Sequence, residues 1–116
     1  MRHHNANRKF GRQADERKAM MRSLALNLVT REKIRTTEAK AKELRPFIEK
    51  MITRSMSKTL ATKRYLVTQL GLPGSKKMLE VVAPRFEGRR GGYTRITKLP
   101  ARKSDGSKMS LIEFVS

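Results

Sequence analysis

A formal net charge of +18 on 116 residues limits what this chain can fold into more than any other feature of its sequence. Like charges at that density repel one another in a compact monomer and attract polyanions. Lys and Arg number 28 against 10 acids, while Leu, Ile, Val and Phe together make only about a fifth of the residues. That apolar share lies at the edge of the range in which highly charged chains stay disordered. One small core with basic extensions that order on a partner follows, and a second core would lack apolar material. A nucleic acid is the partner that this charge balance favours.

Other classes are excluded by what is missing. Cysteine is absent, so there is neither a disulfide framework nor a thiolate metal site. Ten carboxylates are dispersed among excess cations and the two histidines are neighbours near the N-terminus, so no convergent set of reactive groups is expected. The chain is therefore read as no enzyme, with no cofactor and no small-molecule substrate. His3 and His4 lack the further ligands that a metal site needs, and polar contacts within an RNA-binding arm are the better role for them. The apolar runs fall far short of the roughly 20 residues that span a bilayer. No apolar region of a secretory signal precedes Arg8 and Lys9. Cytoplasmic residence without a membrane is the expectation.

Residues 1–13 hold Arg2, Arg8, Lys9 and Arg12, no acid, and Phe10 as the one large apolar side chain, which predicts an extended basic arm. Residues 14–116 are expected to form a single domain. Asp15 and Glu16 suit a helix start, and Met21, Leu24, Ala25 and Leu28 recur at helical spacing, giving a first helix from about Asp15 to Val29. Ile34 to Thr37 reads as a short strand, with Thr36 or Thr37 capping the next helix. That helix carries the stripe Leu44, Phe47, Ile48, Met51 and Ile52, and Pro46 predicts a bend or break near residues 43–46. A third helix, about Leu60 to Leu70, stops at Gly71 and Pro73, and a fourth runs from Ser75 to Ala83. Tyr93 to Leu99 and Met109 to Val115 read as a hairpin whose turn contains Asp105 and Gly106. The fold class is α+β, with about four helices on a small sheet of two to three strands. The strand near Ile34 is expected to join the hairpin, since two strands alone are marginal in water.

The segment Arg85 to Ile96 mixes arginine, glycine and one tyrosine. Arginine forks pair with phosphate and stack on bases, and glycine lets the backbone approach a bulky partner. Two basic surfaces are expected. Arg2, His3, Arg8, Lys9, Arg12, Arg17 and Arg22 form the first, extended by Lys40, Lys42 and Arg45. Arg89, Arg90, Arg95, Arg102 and Lys103 form the second, where Tyr93 either stacks on a base or supports the sheet. Gly71 to Lys77 fails the spacing of a phosphate loop. The two helices flanking Pro73 and Gly74 leave a helix-turn-helix, and hence DNA binding, as the alternative reading, although the second is short for a major-groove reader.

Several segments together resemble a known family: Met1-Arg2-His3, Gly11-Arg12, Thr36-Thr37, Lys40-Ala41-Lys42-Glu43-Leu44-Arg45, Pro84-Arg85-Phe86, Gly91-Gly92-Tyr93-Thr94-Arg95-Ile96 and Ile112-Glu113-Phe114-Val115. Their order and spacing are similar to bacterial large-subunit ribosomal protein seventeen nearly end to end, with Ser55 to Lys76 carrying little of the signature. The resemblance implies a structural constituent of the large ribosomal subunit that binds 23S rRNA, with an α+β fold and an N-terminal arm. It also implies a place near the peptide exit region beside neighbouring large-subunit ribosomal proteins.

Overall fold

Acids open the first helix and a base closes it, each opposite in sign to the helix dipole at that end: Asp15 and Glu16 in the first turn, Arg31 in the last. This helix, α1, runs Ala14–Arg31 in the computed structural model, which describes residues 14–115. The predicted arm, residues 1–13, lies outside them. Met21, Ala25, Leu28 and Val29 are buried, the spacing of a single helix face. Glu32, with a left-handed φ of 68°, then turns the chain directly into β1 (Lys33–Thr37).

Thr37 ends β1 and starts α2 (Glu38–Ser55), its hydroxyl accepting a bond from the Lys40 amide at 3.4 Å. Thr36 is buried instead. α2 continues unbroken through Pro46, which corrects the break allowed near residues 43–46. The ring lies on the exposed side, while burial of Leu44, Ile48, Met51 and Ile52 holds the turns on both sides of it.

Thr59 caps α3 (Leu60–Lys77) through the Thr62 amide, 3.2 Å away. The expected stop at Gly71 falls inside this element: φ 76° and ψ 175° break it into two helical segments. That backbone region is essentially reserved for glycine. The second segment passes through a π-helical stretch, Met78–Val82, into the short α4 (Ala83–Arg85). Among the described residues α1, α2 and α3 each span 18 residues, and the post-Gly71 segment of α3 takes the place of the expected fourth helix.

β2 (Thr94–Leu99) and β3 (Met109–Phe114) form the hairpin, and β1 joins it on the far side of β3, giving the antiparallel order β1-β3-β2. Ile34 lies opposite Ile112, which lies opposite Ile96, so the three isoleucines cross one face of the sheet in a row. That face packs on the helices. The core joins Leu28, Leu44, Ile48, Met51, Leu66, Met78, Val82, Phe86 and Ile112. Burial of this one cluster is the main source of stability available to so charged a chain.

Candidate nucleic-acid interface

Along α1 the residues beside the buried stripe are Arg17, Lys18 and Arg22, and along α2 they are Glu43, Pro46, Phe47 and Lys50. Where the two helices meet α3 these side chains line a groove of about 420 Å³. Four cations and one carboxylate therefore share it. Arg22 is oriented by Gln69 of α3, whose side-chain oxygen accepts from its Nε at 3.1 Å.

A second hollow, of about 380 Å³, lies where α2 meets the glycine-containing segment that precedes β2. Lys50, Arg54 and Arg90 border it, with Glu49 and Thr53 between them. Lys50 lines both hollows, so cations from α1, from α2 and from the segment before β2 are neighbours on one surface. Arg54 is steadied by the face of Tyr65, 3.9 Å from its guanidinium carbon to the ring centre.

Glu49 fastens that segment to the helix. One of its carboxylate oxygens accepts from the Thr94 amide at 3.1 Å and the Thr94 hydroxyl at 2.9 Å. Arg45 completes the clamp, donating to the Thr94 carbonyl at 3.4 Å and lying 3.7 Å from Glu49. Half of the Arg45 side chain is thus committed within the protein, and the other half faces solvent.

The remaining sequence-derived candidates fall in different settings. Arg89 and Arg90 are exposed on the segment before β2 and Lys103 is exposed in the hairpin turn. Lys40 is half-buried, and Lys42 pairs with Glu38 at 3.0 Å, holding that carboxyl below its usual value. Arg95 pairs with Glu113 across the sheet. Arg102 grips Asp105 with two bonds, of 3.1 and 3.0 Å. That fork, helped by the Ser107 amide, holds Asp105 well below the ordinary carboxylate range. Arg2, His3, Arg8, Lys9 and Arg12 lie outside the described residues.

Tyr93 requires a correction, because the structure closes one of its two roles. The ring is fully buried, 5.2 Å from the Phe86 ring between centroids. Its hydroxyl donates to the Arg89 carbonyl at 3.1 Å and meets the Thr53 hydroxyl at 3.0 Å. No face of Tyr93 is available to a base, so it belongs to the core rather than to an RNA-stacking set. Lys18, Lys50 and Arg54 line these hollows and were not among the sequence-derived candidates. Steps of four from Lys42 through the exposed Pro46 along α2 were the signal that would have found the last two.

Among the described residues no three His, Asp or Glu side chains gather as metal ligands, and no helix is long and apolar enough to cross a membrane. The family described as Ribosomal protein L17 matches residues 20–115. The chain belongs to the ribosomal protein L17 family. It is 45% identical to the large ribosomal subunit protein bL17 of Nautilia profundicola, covering 99% of this chain and 98% of that one. The bL17 protein of a Hydrogenobaculum species is 48% identical over 99% of both chains, and that of Thermomicrobium roseum is 44% identical over the full length of both. Members of the ribosomal protein L17 family are structural, non-enzymatic components of the ribosome, which in bacteria is cytoplasmic.

Proposed function

We propose that this protein binds 23S rRNA in the large ribosomal subunit and holds neighbouring rRNA segments together near the peptide exit region, beside other ribosomal proteins. One observation carries the RNA part of that reading: Lys50 lines both hollows, so Arg17, Lys18, Arg22, Arg54 and Arg90 form one basic surface rather than scattered patches. A continuous cationic track suits a continuous polyanion, since each neutralised phosphate releases condensed counterions. Glycines at 88 and 92, with φ of 86° and 67°, let the chain turn twice around Arg89 and Arg90 and leave both arginines exposed. Arg2, Arg8, Lys9 and Arg12 extend the same charge ahead of α1. The position near the peptide exit and the neighbouring proteins rest on the resemblance to the family.

Crosslinking the protein in cells and sequencing the attached nucleic acid tests this reading. Recovery of large-subunit rRNA is the expected result. Genomic DNA or small-subunit rRNA as the dominant product would overturn it.

A further inference from the structure

The side of the sheet away from the helices carries a second site of different chemistry. Strand register lays its outward residues in three rows: Thr37, Met109 and Leu99; then Arg35, Leu111 and Thr97; then Lys33, Glu113 and Arg95. The first row is mainly apolar and the last is charged. In the last row the Arg95 charge is compensated by Glu113, which Lys33 faces across the register. At the other end Arg102 is compensated by Asp105. Arg35 has no acidic partner among the described residues, and it is exposed. It borders a hollow of about 390 Å³ lined also by Leu99, Pro100, Ala101, Arg102 and Met109.

A guanidinium with no acidic partner, sharing its hollow with apolar side chains, suits a ligand with an anion and a flat apolar ring in one molecule. We propose that this face binds an unstacked nucleotide of single-stranded rRNA, its base on Leu99, Met109 and Leu111 and its phosphate on Arg35. The inference rests on the rRNA-binding function proposed above and adds the form of RNA recognised. Single-stranded segments can splay a base onto a side-chain platform and present their phosphates to arginine, whereas a paired helix keeps its base faces stacked. Among the described residues no aromatic ring lies on this face, so contact is aliphatic and the site tolerates different bases. The groove between α1 and α2 also has apolar lining, in Met21, Pro46 and Phe47, but there four cations surround it, so phosphate contact dominates.

The test uses the full-length chain and two probes of equal length: a mixed-sequence single-stranded oligoribonucleotide carrying 5-bromouridine, and a fully paired RNA duplex. Photocrosslinks to the single strand are expected on peptides containing Leu99, Met109 or Leu111. Arg35→Gln, at an exposed position, should leave the circular dichroism spectrum unchanged and weaken single-strand binding by roughly fivefold to tenfold while barely affecting the duplex. Crosslinks confined to α1, α2 and the segment before β2 would overturn the inference and leave the rRNA reading intact. Equal losses on both probes would reduce Arg35 to a general phosphate contact and also overturn it. A chain that dimerises in sedimentation, with Leu111→Ser abolishing the dimer, would assign the face to a second copy instead. Failure of the wild-type chain to bind either probe would end both proposals.

Discussion

Two buried hydroxyls, one just before β2 and one within β3, lead to opposite expectations. Tyr93 has its hydroxyl satisfied twice, by the Arg89 carbonyl and by Thr53, and its ring fills the space beside Phe86. Tyr93→Phe keeps the ring and orphans those partners, so it should destabilise the fold by about 1 kcal/mol in thermal or urea unfolding. RNA affinity per folded molecule should stay unchanged. If affinity fell with no change in unfolding, the buried-core assignment of Tyr93 would be wrong. Ser110 is equally buried, yet its hydroxyl has no hydrogen-bond partner among the described residues. Ser110→Ala removes an unsatisfied polar atom at almost no cost in volume, and is expected to be neutral or to raise the melting temperature. A loss as large as that of Tyr93→Phe would show that the serine is bonded after all. From the sequence Tyr93 could be read as a stacking face or as a sheet support, because an aromatic beside arginines and glycines has the same composition in both cases. Glu49 and Thr53, which tie down its neighbourhood, lie about forty positions earlier in the chain.

At the scale of elements, α3 depends on two glycines for unrelated reasons. Gly71 has open space where a Cβ would stand, but its φ of 76° with ψ of 175° strains any side-chain-bearing residue. Gly71→Ala should therefore cost about 1 to 3 kcal/mol through the backbone alone. Gly74 carries no such strain, but a Cβ there would stand 2.7 Å from Leu26 Cδ1 of α1 and 2.8 Å from Leu70 Cβ. Gly74→Ala should cost a similar amount by overpacking. Leu26→Ala should recover part of the loss in Gly74→Ala and none in Gly71→Ala, as measured by melting of the double variants. Equal rescue of both would refute the separation. The far end of α1 is held electrostatically: Glu32 receives Arg85 at 2.7 Å and Lys77 at 3.4 Å, and Lys77 also donates to the Thr30 carbonyl. The hydrogen bond from Arg85 chiefly lowers the Glu32 carboxyl below its ordinary 4.5. A carboxylate depressed in the folded state stabilises above its unfolded value, and that stabilisation is lost as pH falls through the lower folded value. Glu32 should thus add nothing to the pH dependence of melting between pH 6 and 8 and should destabilise the fold as the solution is acidified below about pH 4.5. Glu32→Gln should remove that part of the acid loss, at under about 1 kcal/mol because the pair is partly exposed. An unchanged acid limb in the variant would show that other carboxylates account for it.

Across the whole molecule, what was legible in the sequence was whatever carries its own local signal. Thr37 caps a helix next to it, Gly71 breaks one, and the spacing of Leu44, Ile48, Met51 and Ile52 marks a buried face without reference to other segments. Ile34 could be assigned to the sheet because a hairpin needs a third strand. The interface was less legible, since Lys50 becomes part of it only once α2 lies against α1 on one side and against the segment before β2 on the other. Arg95 and Arg102 looked equivalent to Arg89 and Arg90 in sequence, and pairing with Glu113 and Asp105 separates them. This difference ranks the cations for RNA binding. A surface neutralising about 6 to 10 phosphates should give a fall of log affinity with log salt of slope roughly −5 to −9, measured by anisotropy with a 23S rRNA fragment in increasing KCl. Lys50→Gln should reduce the magnitude of that slope by about 1. Arg90→Gln should do the same, and the double variant should lose about 2 if one RNA path crosses both hollows. Arg102→Gln should change the slope by less, because its charge is already matched by Asp105. A slope indistinguishable from zero would defeat the electrostatic account. A larger effect from Arg102 than from Lys50 would place the RNA on the hairpin turn rather than along α2.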